Sequence, residues 1–366
     1  MVPLARRLLF RNRGGLIVSV LGVAATVSLL LFLFAVHEGV RDGVTRYVRT
    51  VDADVWVAQK GSDNILKSSS FLLTSMAEEI AEIEGVTVAS PLVRIISKAD
   101  IGGRLSATLF LFGFDPKTRL GAPATIVEGT ADLKPSEIVL DQAFARKYKL
   151  GIGDSITIQS HKFRVAGLSD GTNALVSQFG FVRFEDGETI LGLPGISSFV
   201  LLKVNGDRAA VVRRINEKFP ELSAYDANEF TNHHEEEMDT VLPVFAAAAM
   251  FGAAVGGLIV ALILYSSALE RRDDYATLKA LGAGQRHLLR LVVGQSMLVT
   301  LAGSIAGALF TVALTPLLVR LVPTLALRYS PMLLLVFPAA LIIGAAGATA
   351  PLRVLRRIYP GEVFRA

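Results

Sequence analysis

The chain contains no cysteine, and charged residues make up only 19% of its 366 residues. The absence of cysteine excludes a disulfide framework, a thiolate metal site and a cysteine nucleophile. The sequence also lacks a GxxxxGK[ST] loop, which cradles nucleotide phosphates, and Gly151 and Gly153 do not continue into a dinucleotide-binding fingerprint. No Ser-His-Asp or paired-carboxylate pattern is singled out, so we expect no catalytic residues and no intrinsic cofactor in this chain.

Charge is missing above all from four stretches, each long enough for the ~20 apolar residues that cross a ~30 Å hydrocarbon core. These stretches are Gly14–His37, Thr240–Leu269, Leu291–Val319 and Tyr329–Leu352. Because backbone groups in lipid must be paired within their own segment, we predict four transmembrane helices. The apolar part of the first stretch, Leu16–Val36, is longer than that of a cleavable signal peptide, which predicts a retained anchor.

Basic residues are concentrated outside these stretches in a way that indicates orientation. Residues 1–13, 270–290 and 353–366 together hold 13 basic and 4 acidic side chains. The positive-inside rule places all three segments in the cytoplasm. Residues 38–239, with 22 basic and 29 acidic side chains, then lie outside. The isoelectric point near 9.3 therefore reflects topology and gives no reason to expect a nucleic-acid partner.

These assignments predict an α-helical membrane protein with four transmembrane helices (1 + 3) and a large α+β extracytoplasmic domain between helices one and two. We expect it to be a multi-pass protein of the cell membrane with both termini in the cytoplasm. The predicted segments are a cytoplasmic N-tail at 1–13, a first span at 14–37, the extracytoplasmic domain with its stalk at 38–239, a second span at 240–269, a cytoplasmic coupling segment at 270–290, a third span at 291–319, an outer loop at 320–328, a fourth span at 329–352 and a cytoplasmic C-tail at 353–366.

Local patterns within the outer domain predict individual elements. Alternation of apolar and polar residues predicts a strand in Ala53–Gly61, and helical periodicity predicts helices over Ser70–Glu84 and Gln142–Tyr148. A turn is expected at Gly102–Gly103. The polar run Ala227–Met238 is interpreted as a stalk that leads into the second span.

Two further patterns concern metal binding and helix packing. In the run NHHEEE, His233 with Glu236 or Glu237 has the i+3 or i+4 spacing of a weak metal site, but we favour a solvated stalk face. We therefore expect this run to hold no metal ion. In the third span, Gly303 and Gly307 have the GxxxG spacing that permits close contact between helices.

A run of mixed charge, ERRDDYATLKALGAG, begins at Glu270 between the second and third predicted spans. Tyr275, Leu278 and Leu281 recur every three residues and can share one helix face, whereas charged side chains take the other faces. A simple turn between two helices needs only about four or five residues. We interpret the run as a short amphipathic helix at the inner membrane surface that docks a protein partner.

The sequence ERRDDYATLKALGAGQRHLLRLVVGQSMLVTLAGSIAGAL resembles the signature of the MacB/FtsX-like superfamily of ABC transporter permeases, and Asp274 replaces the usual glutamate. The matching positions are Glu270, Arg271, Arg272, Ala276, Leu278, Lys279, Ala280, Leu281, Gly282 and Ala283. The C-terminal run PLRVLRRIYPGEVFRA is similar to the family's ending at Pro351, Arg353, Pro360, Glu362 and Arg365. The resemblance covers the whole chain, including its predicted order of one helix, an outer domain and three helices.

The resemblance implies a homodimeric permease with an ABC ATPase subunit bound beneath each copy. ATP and Mg²⁺ would then be held by the two ATPase subunits, and this chain would not be an enzyme. The mixed-charge run would be the coupling helix that transmits closure of the ATPase dimer to the second and third spans. The implied ATPase-coupling residues are Glu270, Arg271, Arg272, Asp274, Tyr275, Leu278, Lys279, Leu281 and Gly282.

The outer end of the first predicted span carries residues that could bind haem. Glu38, His37 and Met76 are residue types that ligate haem iron, and Arg41 and Arg46 could pair with its propionates. Ordinary interfacial and core residues would look the same, so these residues alone leave the question open. The compact length and the segment DADVWVAQKGSDNILKSSSF resemble the short haem-exporter permeases. That resemblance implies haem as cargo, with Glu38 and either Met76 or His37 as axial ligands.

Two alternatives stay open. Other short members of the family export glycolipids, peptides or antibiotics, whereas FtsX-like members activate an extracellular partner without transport. The predicted spans contain no charged residue, which disfavours an ion path or a proton relay. A hydrophobic or amphiphilic cargo collected from the bilayer fits this composition better.

Overall fold

The computed structural model describes residues 13–66, 70–103, 105–174, 177–270, 277–278, 283–325 and 327–347. The chain divides into two compact units. The helical unit comprises residues 1–38, 242–318 and 327–366, and the domain comprises residues 39–241 and 319–326.

In chain order, the helices are α1 Arg13–Thr50, α2 Met76–Ala81, α3 Gln142–Tyr148, α4 Phe184–Leu191, α5 Arg208–Lys218, α6 Ala227–Glu270, α7 Gln285–Leu321 and α8 Val336–Gly347, with a 3-10 helix at Pro331–Leu335. The strands are β1 Val55–Gln59, β2 Leu72–Leu73, β3 Val86–Ile101, β4 Leu105–Phe114, β5 Ile126–Gly129, β6 Glu137–Asp141, β7 Ser155–Ile158, β8 His161–Ser169, β9 Asn173–Ala174, β10 Ser177–Arg183, β11 Ile196–Ser197, β12 Phe199–Val204 and β13 Leu222–Asp226.

The domain is built on an eleven-stranded sheet. Its strands follow the order β13-β1-β12-β3-β4-β10-β6-β8-β5, with β7 paired to β3 and β8, and β9 paired to β10. The β4–β10 and β6–β8 pairs are parallel, whereas pairs such as β3–β4 and β1–β12 are antiparallel. β2 and β11 form a separate two-stranded sheet. Strands and helices are mixed along the chain, in agreement with the predicted α+β character of the domain.

Hydrophobic clusters cover both faces of the main sheet, because successive side chains of a strand point to opposite faces. The first cluster includes Tyr47, Trp56, Phe112, Phe179, Phe181, Phe199 and Phe230. The second cluster includes Leu111, Ile138, Leu140 and Phe144, and the third includes Val55, Val57, Ile80, Val200 and Ile215. On β1, Trp56 belongs to the first cluster and its neighbours to the third. Helices α3 and α4 cover the second cluster, and α2 and α5 cover the third.

Short polar side chains fix where the domain helices begin. Asp141 has an extended backbone and accepts a hydrogen bond from the backbone N–H of Ala143, which caps α3. Asp207 caps α5 in the same way by accepting from Ala209. At the other end of α3, Lys149 adopts a left-handed conformation that terminates the helix. The predicted helix Gln142–Tyr148 is thus confirmed with the same bounds.

Tyr47 connects the end of α1 to the first cluster. Its side chain is 1% exposed, and its hydroxyl donates to the backbone carbonyl of Gly121 at 2.8 Å. Burial raises the pKa of this phenol well above its ordinary value. The ring of Tyr47 lies 4.7 Å from that of Phe112 and 5.6 Å from those of Phe179 and Phe181. The first cluster is therefore an aromatic core to which α1 contributes directly.

Within the helical unit, α1 packs closely against α7 at two glycines. A Cβ atom at Gly303 would lie 2.5 Å from Val23 Cβ, and one at Gly307 would lie 2.5 Å from the carbonyl oxygen of Ala24. Any larger side chain would therefore force the helices apart. The close contact predicted from the GxxxG spacing is confirmed.

Hydroxyl groups line the same buried side of α7. Thr311 Oγ1 lies 2.8 Å from Ser28 Oγ on α1, and the Ser296 hydroxyl donates to the carbonyl of Gly344 on α8 at 2.6 Å. Ser28, Ser296 and Thr311 thus satisfy one another or the backbone, whereas the buried hydroxyls of Thr300 and Ser304 have no hydrogen-bond partner among the described residues. Small and hydroxylated residues thus allow three helices to approach closely without a buried charge in the described segments.

Two described helical segments, Arg13–Gly43 and Gln285–Leu321, are long and apolar enough to cross a membrane. The predicted second span lies within α6, and the predicted fourth span overlaps the 3-10 helix and α8. Large apolar side chains are exposed on these helices, including Leu258, Leu262, Leu309 and Phe310. Such surfaces suit contact with lipid. The count of four spans stays a prediction.

The sequence-based prediction of a helix over Ser70–Glu84 is wrong in its extent. Leu72 and Leu73 instead form β2, which pairs with β11, and the helix covers only Met76–Ala81. The neighbouring predictions are confirmed: β1 lies within Ala53–Gly61, and Gly102 and Gly103 form the β3–β4 turn with positive φ angles of 65° and 73°.

Replacing Tyr47 with Phe should destabilise the domain, because the Gly121 carbonyl loses its buried donor. A hydrogen bond of this kind contributes ~1 kcal/mol, which corresponds to a drop of about 2–4 °C in Tm for a domain of this size. Thermal unfolding can be followed by fluorescence of the single tryptophan, Trp56, which lies in the same cluster. Tyr148→Phe, a change in a half-buried tyrosine of α3, is the control and should leave Tm unchanged. Equal effects of both variants would contradict the role given to Tyr47.

Candidate functional site

His37 and Glu38 are adjacent residues of α1, and their side-chain ends come close to each other. His37 Nδ1 lies 3.8 Å from Glu38 Oε1, and both side chains are partly buried. The imidazole and the carboxylate could form an ion pair when the histidine is protonated. Both are also residue types that ligate iron. Their closeness follows from their adjacency in the sequence, so the assignment of both as iron ligands stays a prediction.

The arginines that follow on α1 have acidic partners within the domain. Arg41 donates to Glu235 on α6 at 2.9 Å. Arg46 Nη2 lies 3.8 Å from Asp170 Oδ2, in the loop after β8. Arg41 is therefore hydrogen-bonded to a carboxylate, whereas the contact of Arg46 is a looser ion pair.

Met76 lies elsewhere in the domain. It is the first residue of α2 and packs, half-buried, against the third cluster, which includes Val55 and Val57. The end of α1, with Tyr47, covers the opposite face of the sheet. One copy of the chain therefore does not bring Met76 together with Arg41 and Arg46.

The first turns of α6 are fixed into the aromatic core. Phe230 stacks on Trp56 with ring centroids 4.8 Å apart. His234, one turn later, is 0% exposed. Its Nε2 accepts from the backbone N–H of Ile65 at 2.9 Å, and its Nδ1 lies 2.7 Å from the carbonyl oxygen of Phe230. This arrangement assigns the proton to Nδ1 of a neutral imidazole.

Sequence reasoning missed the role of His234. The run Ala227–Met238 is helical, and its residues Phe230 and His234 face the core, so it is not simply a solvated stalk. The i, i+4 spacing of these two residues is the signal that could have identified a buried helix face. The neighbouring His233 instead packs edge-on against Tyr225, with the two ring centroids 5.1 Å apart.

The predicted coupling segment is described only in part. Glu270 is the last residue of α6, and Leu278 accepts a backbone hydrogen bond from Ala283 at 3.0 Å. The other predicted ATPase-coupling residues lie outside the described residues. These are Arg271, Arg272, Asp274, Tyr275, Lys279, Leu281 and Gly282. The C-terminal motif from Pro351 onward also lies outside them.

Three carboxyl groups of the domain have shifted pKa values for structural reasons. Burial raises the pKa of Asp141, which caps α3 and also accepts from Thr172. Burial likewise raises the pKa of Asp186. Glu137 has a lowered pKa because it accepts from the backbone of Lys134 and from Arg164. Each of these carboxyls holds local structure, and in the described chain no three metal-ligating side chains cluster.

Comparison with known proteins matches both parts of the chain. Residues 16–218 match the family model described as the MacB-like periplasmic core domain, and residues 246–360 match the FtsX-like permease C-terminal model. An uncharacterized ABC transporter permease of Mycobacterium tuberculosis (strain ATCC 25618 / H37Rv) is 24% identical over 354 residues, or 95% of each chain. The macrolide export ATP-binding/permease protein MacB of Marinobacter nauticus is 25% identical, over 93% of this chain and 55% of that protein.

Among solved structures, the periplasmic region of MacB from Actinobacillus actinomycetemcomitans is similar, with a TM-score of 0.39 and 11% identity, over 51% of this chain and 95% of that chain.

Replacing His234 with Ala should destabilise the domain, because Ile65 loses a buried acceptor and a cavity opens beside Phe230. The expected cost is ~2–3 kcal/mol in the free energy of unfolding. His233→Ala removes the adjacent ring, which is only partly buried, and is the matched control with a smaller expected effect. Denaturant unfolding monitored by Trp56 fluorescence measures both. A larger loss of stability for His233→Ala would refute the assignment of His234 as the anchor of α6.

Proposed function

Because the chain belongs to the MacB/FtsX-like family of ABC transporter permeases, we propose that it is the permease subunit of an exporter that works as a homodimer with two copies of a separate ATPase subunit. Membership in the family implies an ATPase partner and a membrane protein with a periplasmic domain. The observation that carries the proposal is the match to permeases over nearly the full length of the chain, with both the outer-domain and the membrane-domain models represented.

The proposed topology has four spans with both termini in the cytoplasm. Two spans correspond to the long apolar segments of α1 and α7. The charge-free residues 240–269 of α6 provide the second span, and the region of the 3-10 helix and α8 provides part of the fourth. The distribution of 13 basic and 4 acidic residues over the tails and the 270–290 segment supports this orientation.

Helix α6 runs from the domain to the residue at which the proposed coupling segment begins, and Pro243 lies inside it near the division between the two units. It is one helix from Ala227 to Glu270, where the proposed coupling segment begins. Its first turns are fixed by Phe230 and His234 to the aromatic core of the domain. Closure of the ATPase dimer would push on the coupling segment, and α6 would carry the displacement toward the domain.

The proposed cargo is an amphiphile, and we propose haem. The spans contain no charged residue, so an ion or a proton relay has no chemical support there. His37 and Glu38, 3.8 Å apart, are the candidate iron ligands in one chain, and a homodimer would double them. Arg41 and Arg46 follow on the same helix and supply positive charge for the propionates.

A second candidate function is transmission of movement to an extracellular partner without transport. Two contacts favour this second function. Tyr47 of α1 and Phe230 of α6 are both buried in the aromatic core of the domain, so a movement of either helix would act on the domain. In this case ATPase activity would respond to a macromolecular partner of the domain. In an exporter, it would respond to a small amphiphile.

Replacing both Leu278 and Leu281 with Asp should abolish co-purification of the ATPase subunit. The two substitutions would place charge on the apolar face of the coupling segment, which is called the seam here. Leu278 is half-buried, whereas its neighbour Thr277 is exposed. Thr277→Asp therefore adds one negative charge next to the seam and should leave the complex intact. Retention of the ATPase by the double variant would disprove the coupling assignment.

Titrating the purified protein with haemin in detergent should give a saturable Soret shift at one haem per dimer. Glu38→Ala and His37→Ala should weaken the shift by removing iron ligands, whereas Met76→Ala should not, because Met76 packs in the third cluster. Absorbance spectra and the titration endpoint are the measurements. A featureless partition curve that no variant alters would exclude haem and leave a glycolipid, peptide or antibiotic as cargo.

A further inference from the structure

Three hydroxyl residues, Ser296, Thr300 and Ser304, follow one another at intervals of four along α7. Residues at this spacing lie on one face of a helix, about 6 Å apart along its axis. All three are buried, with at most 2% of each residue exposed. The first two contact α8: the Ser296 hydroxyl donates to the carbonyl of Gly344 at 2.6 Å, and Thr300 lies directly against the same glycine.

The hydroxyls of Thr300 and Ser304 are buried and have no hydrogen-bond partner among the described residues. A hydroxyl side chain inside a helix can always donate to the carbonyl four residues earlier in its own helix. Four other residues of the helical unit do so: Ser19, Thr26, Thr311 and Thr315. Thr300 and Ser304 thus keep their hydroxyls for another acceptor, on the face that Ser296 uses to hold α8.

The C-terminal turn of α8 carries small residues, in the order Gly-Ala-Ala-Gly from Gly344 to Gly347. A Cβ atom at residue 344 would clash with the side chain of Thr300, so α8 needs a glycine where it passes this threonine. Gly347 lies three residues later on the same face of the helix and can take the place of Gly344 opposite Thr300. The spacing therefore allows α8 to move along α7 by three residues, or about 4.5 Å, without placing a Cβ atom against Thr300.

Two contacts show that α7 and α8 run in opposite directions. Gly344, near the end of α8, contacts Ser296, whereas Tyr329, which precedes α8, has its hydroxyl 2.5 Å from that of Thr315, near the end of α7. A movement of α8 toward the C-terminal end of α7 therefore carries Gly344 from Ser296 toward Thr300. The 3-10 helix Pro331–Leu335 lies directly before α8. Its conversion to α-helix would shorten it by about 2.5 Å, which accommodates about half of this movement.

We propose that α8 has two registers on α7, which differ in the hydroxyl that holds the Gly344 carbonyl. In the register of the structure this hydroxyl belongs to Ser296. In the second register α8 has moved by about one turn, Thr300 holds the carbonyl, and Ser296 donates to Val292 of its own helix. Each register has one interhelical hydrogen bond of the same kind, so a small force selects between them. The inference rests on the proposed function only for the source of this force, which is closure of the ATPase subunits.

Spin labels can report the register of the full-length protein, because the chain has no cysteine of its own. Cysteines introduced at Leu309 of α7 and Ile342 of α8 replace side chains that are 67% and 70% exposed, so the labels leave the buried face intact. The distance between them, measured by double electron–electron resonance, should be shorter by about 4.5 Å in the second register. Trapping the complex of wild-type permease and ATPase subunit with ATP and vanadate should produce this shorter distance.

Two variants should change the distance in different ways. Ser296→Ala should populate the shorter distance without nucleotide, because the first register loses its hydrogen bond. Thr300→Val combined with Ser304→Ala should keep the longer distance even after trapping, because the second register has no donor. Thr311→Val is the matched control: it removes a buried hydroxyl of α7 that contacts Ser28 on α1, and it should behave as the wild type.

The nucleotide-free measurement separates this inference from the proposed function. If Ser296→Ala shortens the distance but trapping with the ATPase subunit does not, the two registers stand and the proposed coupling fails. If Ser296→Ala keeps the wild-type distance, or if the double variant shortens it as well, the exchange of hydroxyls is overturned. A second label pair, at Leu309 and at Leu21 of α1, identifies variants that have lost the packing of α1 on α7. This distance should stay constant in every variant that is interpreted.

Discussion

Tyr47 on α1 and Phe230 on α6 enter the same aromatic core, and the organisation of the domain depends on this shared contact. The ring of Trp56 lies 6.5 Å from Tyr47 and 4.8 Å from Phe230. Two helices that are distant in sequence are therefore tied to one face of one sheet. Buried aromatic rings combine large apolar area with a preferred geometry, so neither helix can shift without disturbing the other. The polar ends of this core, the Tyr47 hydroxyl and the His234 ring, are satisfied by backbone groups.

The helical unit meets a different constraint, because lipid offers no hydrophobic drive for helices to associate. Its contacts accordingly rely on close approach at Gly303 and Gly307 and on hydroxyl groups such as Thr311. The core of the domain is rich in aromatic side chains, whereas the helical unit combines an aliphatic cluster, which includes Val27 and Leu31, with close helix contacts at glycine.

Local sequence patterns correctly predicted those helices and turns that are determined by residues close together in the sequence. The Asp141 cap and the apolar spacing define α3 within nine residues, and its bounds are predicted correctly. The region around Leu72 fails because β2 pairs with β11, more than a hundred residues away, and such pairing has no local signal. His234 was missed for a related reason: its acceptor role becomes visible only when Ile65 is placed beside it. Of the candidate site, the sequence located the charged end of α1 but could not indicate which arginine is already paired.

Arg41 and Arg46 differ in how closely they contact an acidic side chain, because their partners lie on different elements of the domain. Glu235 is on α6, a helix fixed by the aromatic core, so Arg41 meets a carboxylate held at hydrogen-bonding distance. Asp170 is in the loop after β8, where its carboxylate accepts from Gln142 at 2.6 Å and its backbone N–H donates to Thr125, and it forms only a loose ion pair with Arg46.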